Sequence, residues 1–167
     1  MSPAPRARSN TFYRPENYRP EDSAAFMMKR IIESMRQEVD RELEPSGLTS
    51  AQWIPLLKIH MGHASAPVEL ARECQLDAGA MTRTLDRIEA KGLVRRVRSS
   101  EDRRVVNLEL TDEGRAAARH IPTVLSKVQN AHLRGFTHAE WEQLKALLQR
   151  ILDNAAELQA EREEGKT

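Results

Sequence analysis

From Glu21 to about Glu44 the apolar residues Met28, Ile31, Ile32, Met35, Val39 and Leu43 recur at intervals of three and four, which predicts one long amphipathic helix. Pro45, Ser46 and Gly47 end it. Thr49, with Gln52 three places on, is a capping-box signature for a second helix through Trp53, Leu56, Leu57 and Met61, with Pro55 placed in the first turn, where proline is tolerated. Pro67 to Glu73 predicts a short helix and Asp77 to Lys91 a longer one, separated by Gln75 and Leu76 at helix-turn-helix spacing, and Gly92 closes the longer one. The period then changes from helical to alternating. Val94 and Val97 begin an extended segment, Val106, Leu108 and Leu110 alternate with polar residues in a second, and Ser99, Ser100, Glu101 and Asp102 have turn composition, so residues 94–111 predict a β-hairpin with a cationic tip.

Thr111, followed by Asp112 and Glu113, opens another helix whose N-terminal dipole favours those acids, and Pro122 is expected to kink or interrupt it. Thr137 with Glu140 forms a second capping box. Trp141, Leu144, Leu148, Ile151, Ala155 and Leu158 then repeat at helical spacing in a final amphipathic helix. At the other end, residues 1–20 carry Pro3, Pro5, Pro15 and Pro20 among Arg6, Arg8, Arg14 and Arg19, which predicts an extended arm. Aromatic residues are depleted in disordered chains, so Phe12, Tyr13 and Tyr18 mark a part of the arm suited to docking on a partner subunit.

The fold class that follows is mainly α with a small β-hairpin wing: an arm at 1–20, an N-terminal dimerisation helix at 21–46, a winged helix-turn-helix lobe at 47–111 and C-terminal dimerisation helices at 112–167. With only three Phe, two Trp and two Tyr in 167 residues, aliphatic side chains and Met must fill the core. The single cysteine, Cys74, has no partner for an intramolecular disulfide and reads as a small core residue. No stretch approaches the roughly 20 apolar residues of a membrane span, and there is no apolar signal-peptide core, so a cytoplasmic protein without a membrane partner is expected.

The net charge of +1 is uninformative, but its distribution is not. Residues 77–104 hold eight Lys/Arg against five Asp/Glu, whereas 138–167 hold four against seven, so the basic excess lies on the helix-turn-helix and hairpin. A basic hairpin beside a helix bearing Thr82, Arg83 and Arg87 suits a nucleic-acid groove. Hairpin arginines also serve to discourage edge-to-edge pairing of sheets. The hairpin further contains Asp102-x-Arg104, followed by Leu110-Thr111-x-x-Gly114 and preceded by Glu-Ala-Lys-Gly-Leu-Val-Arg-Arg from Glu89 to Arg96. Together these resemble the MarR family of winged-helix transcriptional regulators. The resemblance extends loosely from about Asp22 to about Leu158, with its specific motifs between Leu70 and Gly114.

Two long amphipathic helices flanking a small lobe present apolar faces that either pack on each other within one chain or are covered by a second chain. The resemblance implies the second arrangement, with N- and C-terminal helices interleaved in a two-fold homodimer. Two recognition helices would then lie about 34 Å apart on double-stranded DNA and read a pseudo-palindromic operator. On the helix from Asp77, Met81, Leu85 and Ile88 share an anchoring face, leaving Gly79, Ala80, Thr82, Arg83 and Arg87 on the other faces. Arg83 is the first candidate for bidentate contact with guanine, and Thr82 for a thymine methyl or a phosphate. Arg87 has two readings, a DNA contact or an ion pair with the neighbours of Asp86 or with the wing. The resemblance implies that Arg104 enters the minor groove while Asp102 fixes the loop, and a narrow minor groove does attract arginine. Arg95, Arg96, Arg98 and Arg103 are assigned to phosphates or solvent.

The resemblance also implies a repressor released by a small aromatic carboxylate or phenol bound between the long helices and the lobe. Trp53, His60 and His63 are the candidate lining, with Arg19 and Arg36 as carboxylate partners; plain core for Trp53 and surface or capping roles for the histidines are the competing readings. His60 and His63 have no further Cys or His nearby in sequence to complete a metal site. No nucleophile motif, glycine-rich phosphate loop or zinc-hydrolase signature appears, so neither an enzyme nor a resident cofactor is expected. The rival function is a dimeric helical adaptor whose winged helix binds protein.

Overall fold

The computed structural model describes residues 11–98 and 106–165. In chain order the elements are α1 (Ala24–Leu43), α2 (Ser50–His60), α3 (Pro67–Glu73), α4 (Ala78–Ala90), β1 (Val94–Arg98), β2 (Val106–Leu110), α5 (Asp112–His132) and α6 (His138–Glu164). The strands form one antiparallel hairpin in which Val94 faces Leu110 and Arg98 faces Val106. The chain is thus mainly α with a small hairpin.

Polar side chains set most of the helix starts. Ser23 caps α1 by accepting from the Phe26 amide at 3.2 Å, Asp77 caps α4 by accepting from Ala80 at 2.8 Å, and Thr111 caps α5 by accepting from Gly114 at 2.9 Å. Glu140 accepts from both the amide and the hydroxyl of Thr137, completing the box at α6. At α2 the glutamine half of the box is made, the Thr49 amide donating to Gln52 at 3.4 Å. No side chain of residue 66 can cap α3, and Glu69 takes over, accepting from the Ser65 and Ala66 amides and the Ser65 hydroxyl.

The prolines depart from the sequence expectation at three places. Between Phe12 and Asp22 the arm is not simply extended: Pro15–Asn17 and Pro20–Asp22 are 3-10 turns, each begun by a proline whose fixed φ suits a first turn. Tyr13 and Tyr18 meet edge to face, and the Tyr13 hydroxyl accepts from the Ala24 amide at the start of α1. Pro55 is the sixth residue of α2 rather than part of its first turn, and it is buried. Pro122 does not interrupt α5. It lies on the exposed face, while Ala118, Ile121, Val124 and Val128 on the buried face hold the helix on both sides of it.

One core joins these elements. Val39 and Leu43 of α1, Leu56 of α2, Leu70 of α3, Met81, Leu85 and Ile88 of α4, Val94, Leu108 and Leu110 of the hairpin, and Ala118, Ile121, Val124 and Val128 of α5 are buried in it. The tightest joint in it is between the α4–β1 turn and the start of α5. Gly92 has φ of +69°, a left-handed conformation that lets the chain reverse after α4. The Thr111 hydroxyl donates to the Gly92 carbonyl at 2.6 Å and the Thr111 amide to the Leu93 carbonyl at 3.1 Å. A Cβ on Gly114 would fall inside the van der Waals surface of the Leu93 carbonyl oxygen, so only glycine admits this approach. Helix α6 stands apart: among its described residues none is buried.

Two outcomes are expected. Gly114→Ala forces the α4–β1 turn away from α5 and lowers stability by about 1–3 kcal/mol or more in thermal unfolding, the range of an overpacked interior site, whereas Gly165→Ala at the end of α6 leaves it nearly unchanged. Backbone hydrogen bonding from Ala80 holds the Asp77 carboxyl below its ordinary range. Because the folded value is depressed, this stabilisation is present above the unfolded carboxylate value and is lost as pH falls through the folded one. Asp77→Asn keeps a capping oxygen without that titration, and acid unfolding followed by circular dichroism should accordingly lose part of its pH dependence below about pH 4.

Candidate nucleic-acid interface

The α3–α4 turn is compact. The Cys74 and Leu76 amides donate to the Leu70 and Ala71 carbonyls at 2.9 Å each, and Gln75 between them takes a left-handed φ of +53°. Helix α4 is therefore held against α3 with one face sunk in the core, where Met81, Leu85 and Ile88 are joined by the partly polar Thr84. Gly79, Thr82, Arg83 and Arg87 are exposed on the rest of its surface and Ala80 is half-buried. All five thus lie on a single element.

Their chemistry differs. The Thr82 hydroxyl donates to the Ala78 carbonyl at 2.8 Å and is engaged with its own helix. Arg83 reaches back to the N-terminal turn: a Cβ on Gly79 would lie 3.4 Å from its Nη1 and 3.2 Å from the Asp77 carboxylate, so the glycine leaves room for both. Arg87 makes no ion pair with any described residue, and neither does Arg83. Both cations on this face are available to an external anion.

The hairpin engages two of its arginines. Arg95 is paired with Glu109, its cross-strand partner, at 2.6 Å, with its side chain still 66% exposed. Arg96 turns inward onto α4, its Nη1 lying 2.8 Å from the Asp86 carboxylate and 2.7 Å from that of Glu89. The physical cause is the short path through the Gly92 turn, which lays β1 along the C-terminal half of α4. The ion pair that the sequence offered to Arg87 is thus made by Arg96. Arg98 is exposed at the end of β1. Asp102, Arg103 and Arg104 lie outside the described residues.

Lys91, which sequence reasoning did not single out, ties the end of α4 to the α1–α2 corner. Its Nζ donates to the Gly47 carbonyl and to Gln52 Oε1, the same oxygen that caps α2. The place of Lys91 immediately before the left-handed Gly92 was the only available signal.

The five candidate effector residues are spread over the N-terminal arm, α1, α2 and the loop after α2. Trp53 is buried, with its indole N–H donating to Asp40 at 3.1 Å. Arg36 makes a bidentate bond to Glu33, which holds the Glu33 carboxyl below its usual range, and Arg19 lies 3.8 Å from Glu21. His60 and His63 are exposed at the end of α2 and in the loop after it. A cavity of about 290 Å³ does open between α1 and α5, lined by Ser34, Glu38, Glu42, Lys127, Val128, Ala131 and His132. Across it the Ser34 hydroxyl and His132 Nε2 are 3.0 Å apart, and Lys127 meets Glu42 at 2.6 Å. His132 Nδ1 lies 2.8 Å from the Val128 carbonyl, which can only accept, so Nδ1 is the donor of that bond. Cys74 is half-buried and burial pushes its thiol up, the opposite of an activated thiolate.

Comparison with known proteins supports the geometry. A sequence model described as "MarR family" matches residues 46–105, from α2 through the first strand of the hairpin. The transcriptional regulator PA3341 is 31% identical over 79% of this chain and 97% of its own, with a TM-score of 0.70. The reduced form of MarR from E. coli is 27% identical over 78% of this chain and 96% of its own, with a TM-score of 0.71. A mutant E. coli MarR solved in complex with operator DNA is 28% identical over 77% and 92%, with a TM-score of 0.69. With the helix-turn-helix, the hairpin and the Thr111–Gly114 joint all in place, the chain belongs to the MarR family of winged-helix transcriptional regulators.

Proposed function

We propose that this protein is a DNA-binding transcriptional regulator, most simply a repressor, that reads a pseudo-palindromic operator as a homodimer. The observation that carries this reading is the exposed cationic face of α4: Arg83 and Arg87 are exposed and make no ion pair among the described residues, while Arg96 is held by Asp86 and Glu89. Unpaired arginines on a helix anchored by its opposite face are placed for a major groove, where Arg83 takes guanine and Gly79, Ala80 and Thr82 allow close approach. Arg87 and Arg98 neutralise phosphates. Asp102, Arg103 and Arg104 complete the wing, with Arg104 in the minor groove. That a related E. coli protein was solved in complex with operator DNA supports the DNA-binding reading.

Dimerisation rests on unpartnered apolar surface. Ile31 and Ile32 of α1 are 50% and 66% exposed, and Leu147, Leu148, Ile151, Leu152 and Leu158 of α6 are exposed as well. Exposed apolar faces of this kind are covered in a stable protein, and a second copy supplies matching ones. The segment from Phe12 to Tyr18 extends the same surface toward the partner. The effector is a small aromatic acid or phenol taken up between the long helices and the lobe, near Trp53, His60 and His63, with Arg36 or Arg19 as its counter-ion. Such a ligand releases DNA by the difference of its affinities for the free and bound forms. No helix among the described residues is long and apolar enough to cross a membrane, which is compatible with a cytoplasmic site of action.

Three outcomes follow. Arg83→Ala weakens binding to a fragment selected from genomic DNA by about 1–3 kcal/mol and relaxes base preference at one position per half-site, whereas Arg98→Ala weakens all sequences alike and lowers the salt slope by about 0.9. Unaltered activity in the cell when Arg83 is reversed to Glu would instead favour a protein-binding adaptor. Ile32→Glu shifts sedimentation from dimer to monomer and abolishes binding at concentrations where the wild type saturates; a variant that stays dimeric would remove α1 from the interface. A panel of aromatic acids and phenols, titrated into the complex, contains at least one that displaces the fragment, and Arg36→Ala weakens that response without altering DNA affinity in its absence.

A further inference from the structure

We infer that Arg96 is a positioning residue for DNA reading, which locks the wing to α4 and masks two carboxylates on it. This rests on the proposed use of α4 as the reading helix. The Arg96 side chain is only 28% exposed, and its bonds all run to α4. Nη1 is shared by Asp86 and Glu89, at 2.8 and 2.7 Å, and Nη2 donates to the Thr82 carbonyl at 3.4 Å. The Arg96 main-chain amide also donates to Glu89 Oε1 at 3.1 Å. One glutamate therefore grips the strand by both backbone and side chain, and this fixes β1 against the helix independently of the hairpin tip.

The arrangement has an electrostatic consequence. Asp86 and Glu89 are three residues apart on one helix, a spacing at which like charges repel, and Asp86 lies beside the cations of Arg83 and Arg87. Uncovered, Asp86 would compete for Arg83, three residues before it on the helix, and both carboxylates would oppose phosphates approaching the same surface. The guanidinium fork suits both tasks because it meets two carboxylates and a carbonyl at once, which a lysine ammonium cannot do in this geometry. Being already neutralised by protein groups, Arg96 has no phosphate to gain and releases no counterion on binding.

The test compares the full chain as wild type, Arg96→Met, the pair Asp86→Asn with Glu89→Gln, and all three changes together, on one selected fragment over about 50–250 mM salt, the range in which phosphate contacts dominate the slope. Expected is a loss of about tenfold or more for Arg96→Met with the wild-type salt slope, and recovery of most of that loss when both carboxylates are neutralised in the same chain, so that the changes are strongly non-additive. If Arg96→Met does not fold, the triple variant regains cooperative thermal unfolding and binds with the wild-type slope. A slope reduced by about 0.9 in either of the two chains that carry Arg96→Met would make Arg96 a phosphate contact and overturn the inference. So would equal effects of the carboxylate changes with and without Arg96. Failure of the wild type to select any fragment would sink the DNA-reading proposal itself, and the coupling of the three residues in thermal unfolding would then report the clamp separately.

Discussion

The Leu93 carbonyl occupies the space that a side chain on residue 114 would need, and Thr111 bonds to that carbonyl and to the one before it. This approach of the α4–β1 turn to the start of α5 is the constraint on which the rest of the molecule depends. It fixes where the reading helix ends, where the hairpin begins and where the long helix leaves the lobe, all within a few residues. Lys91 closes the same end of α4 onto Gly47 and Gln52, and so onto the corner between α1 and α2. Both α5 and the α1–α2 corner are therefore joined to the end of α4 by hydrogen bonds and packed backbone rather than by a flexible linker.

Around that joint the arginines divide by role. Arg95 and Arg96 are paired with protein carboxylates, one across the exposed side of the hairpin and one between hairpin and helix, while Arg83 and Arg87 make no ion pairs among the described residues on the exposed face of α4. The division explains how a chain of net charge +1 presents a local cationic surface. Asp86 and Glu89 would otherwise cancel much of it.

Much of the fold was legible because it depends on local signals. Thr111 and Thr137 are small acceptors at helix starts, and the change from helical to alternating periodicity at Val94 marks the hairpin, whereas Ser23, the cap of α1, sets its start after the expected Glu21. What was not legible depends on neighbours distant in sequence. Pro122 keeps its helix because the opposite face is buried, and a count of prolines cannot reveal which face that is. Arg96 has the same composition signal as Arg98, yet the turn at Gly92 brings it onto Glu89, seven residues back. The Trp53 bond to Asp40 and the Ser34 bond to His132 join separate helices, so the sequence offered residue types for a ligand site without saying which of them were already engaged.

In the proposed regulator, one rigid reading unit, set by the joint at Gly114, is presented twice by the apolar faces of α1 and α6. Hydroxyl-radical footprinting of a selected genomic fragment, with the mass of the complex measured on the same sample, tests this most directly. Two chains per duplex are expected, with two symmetric protected half-sites whose centres lie about one helical turn apart. One chain per duplex, or a single unsymmetric patch of protection, would contradict it.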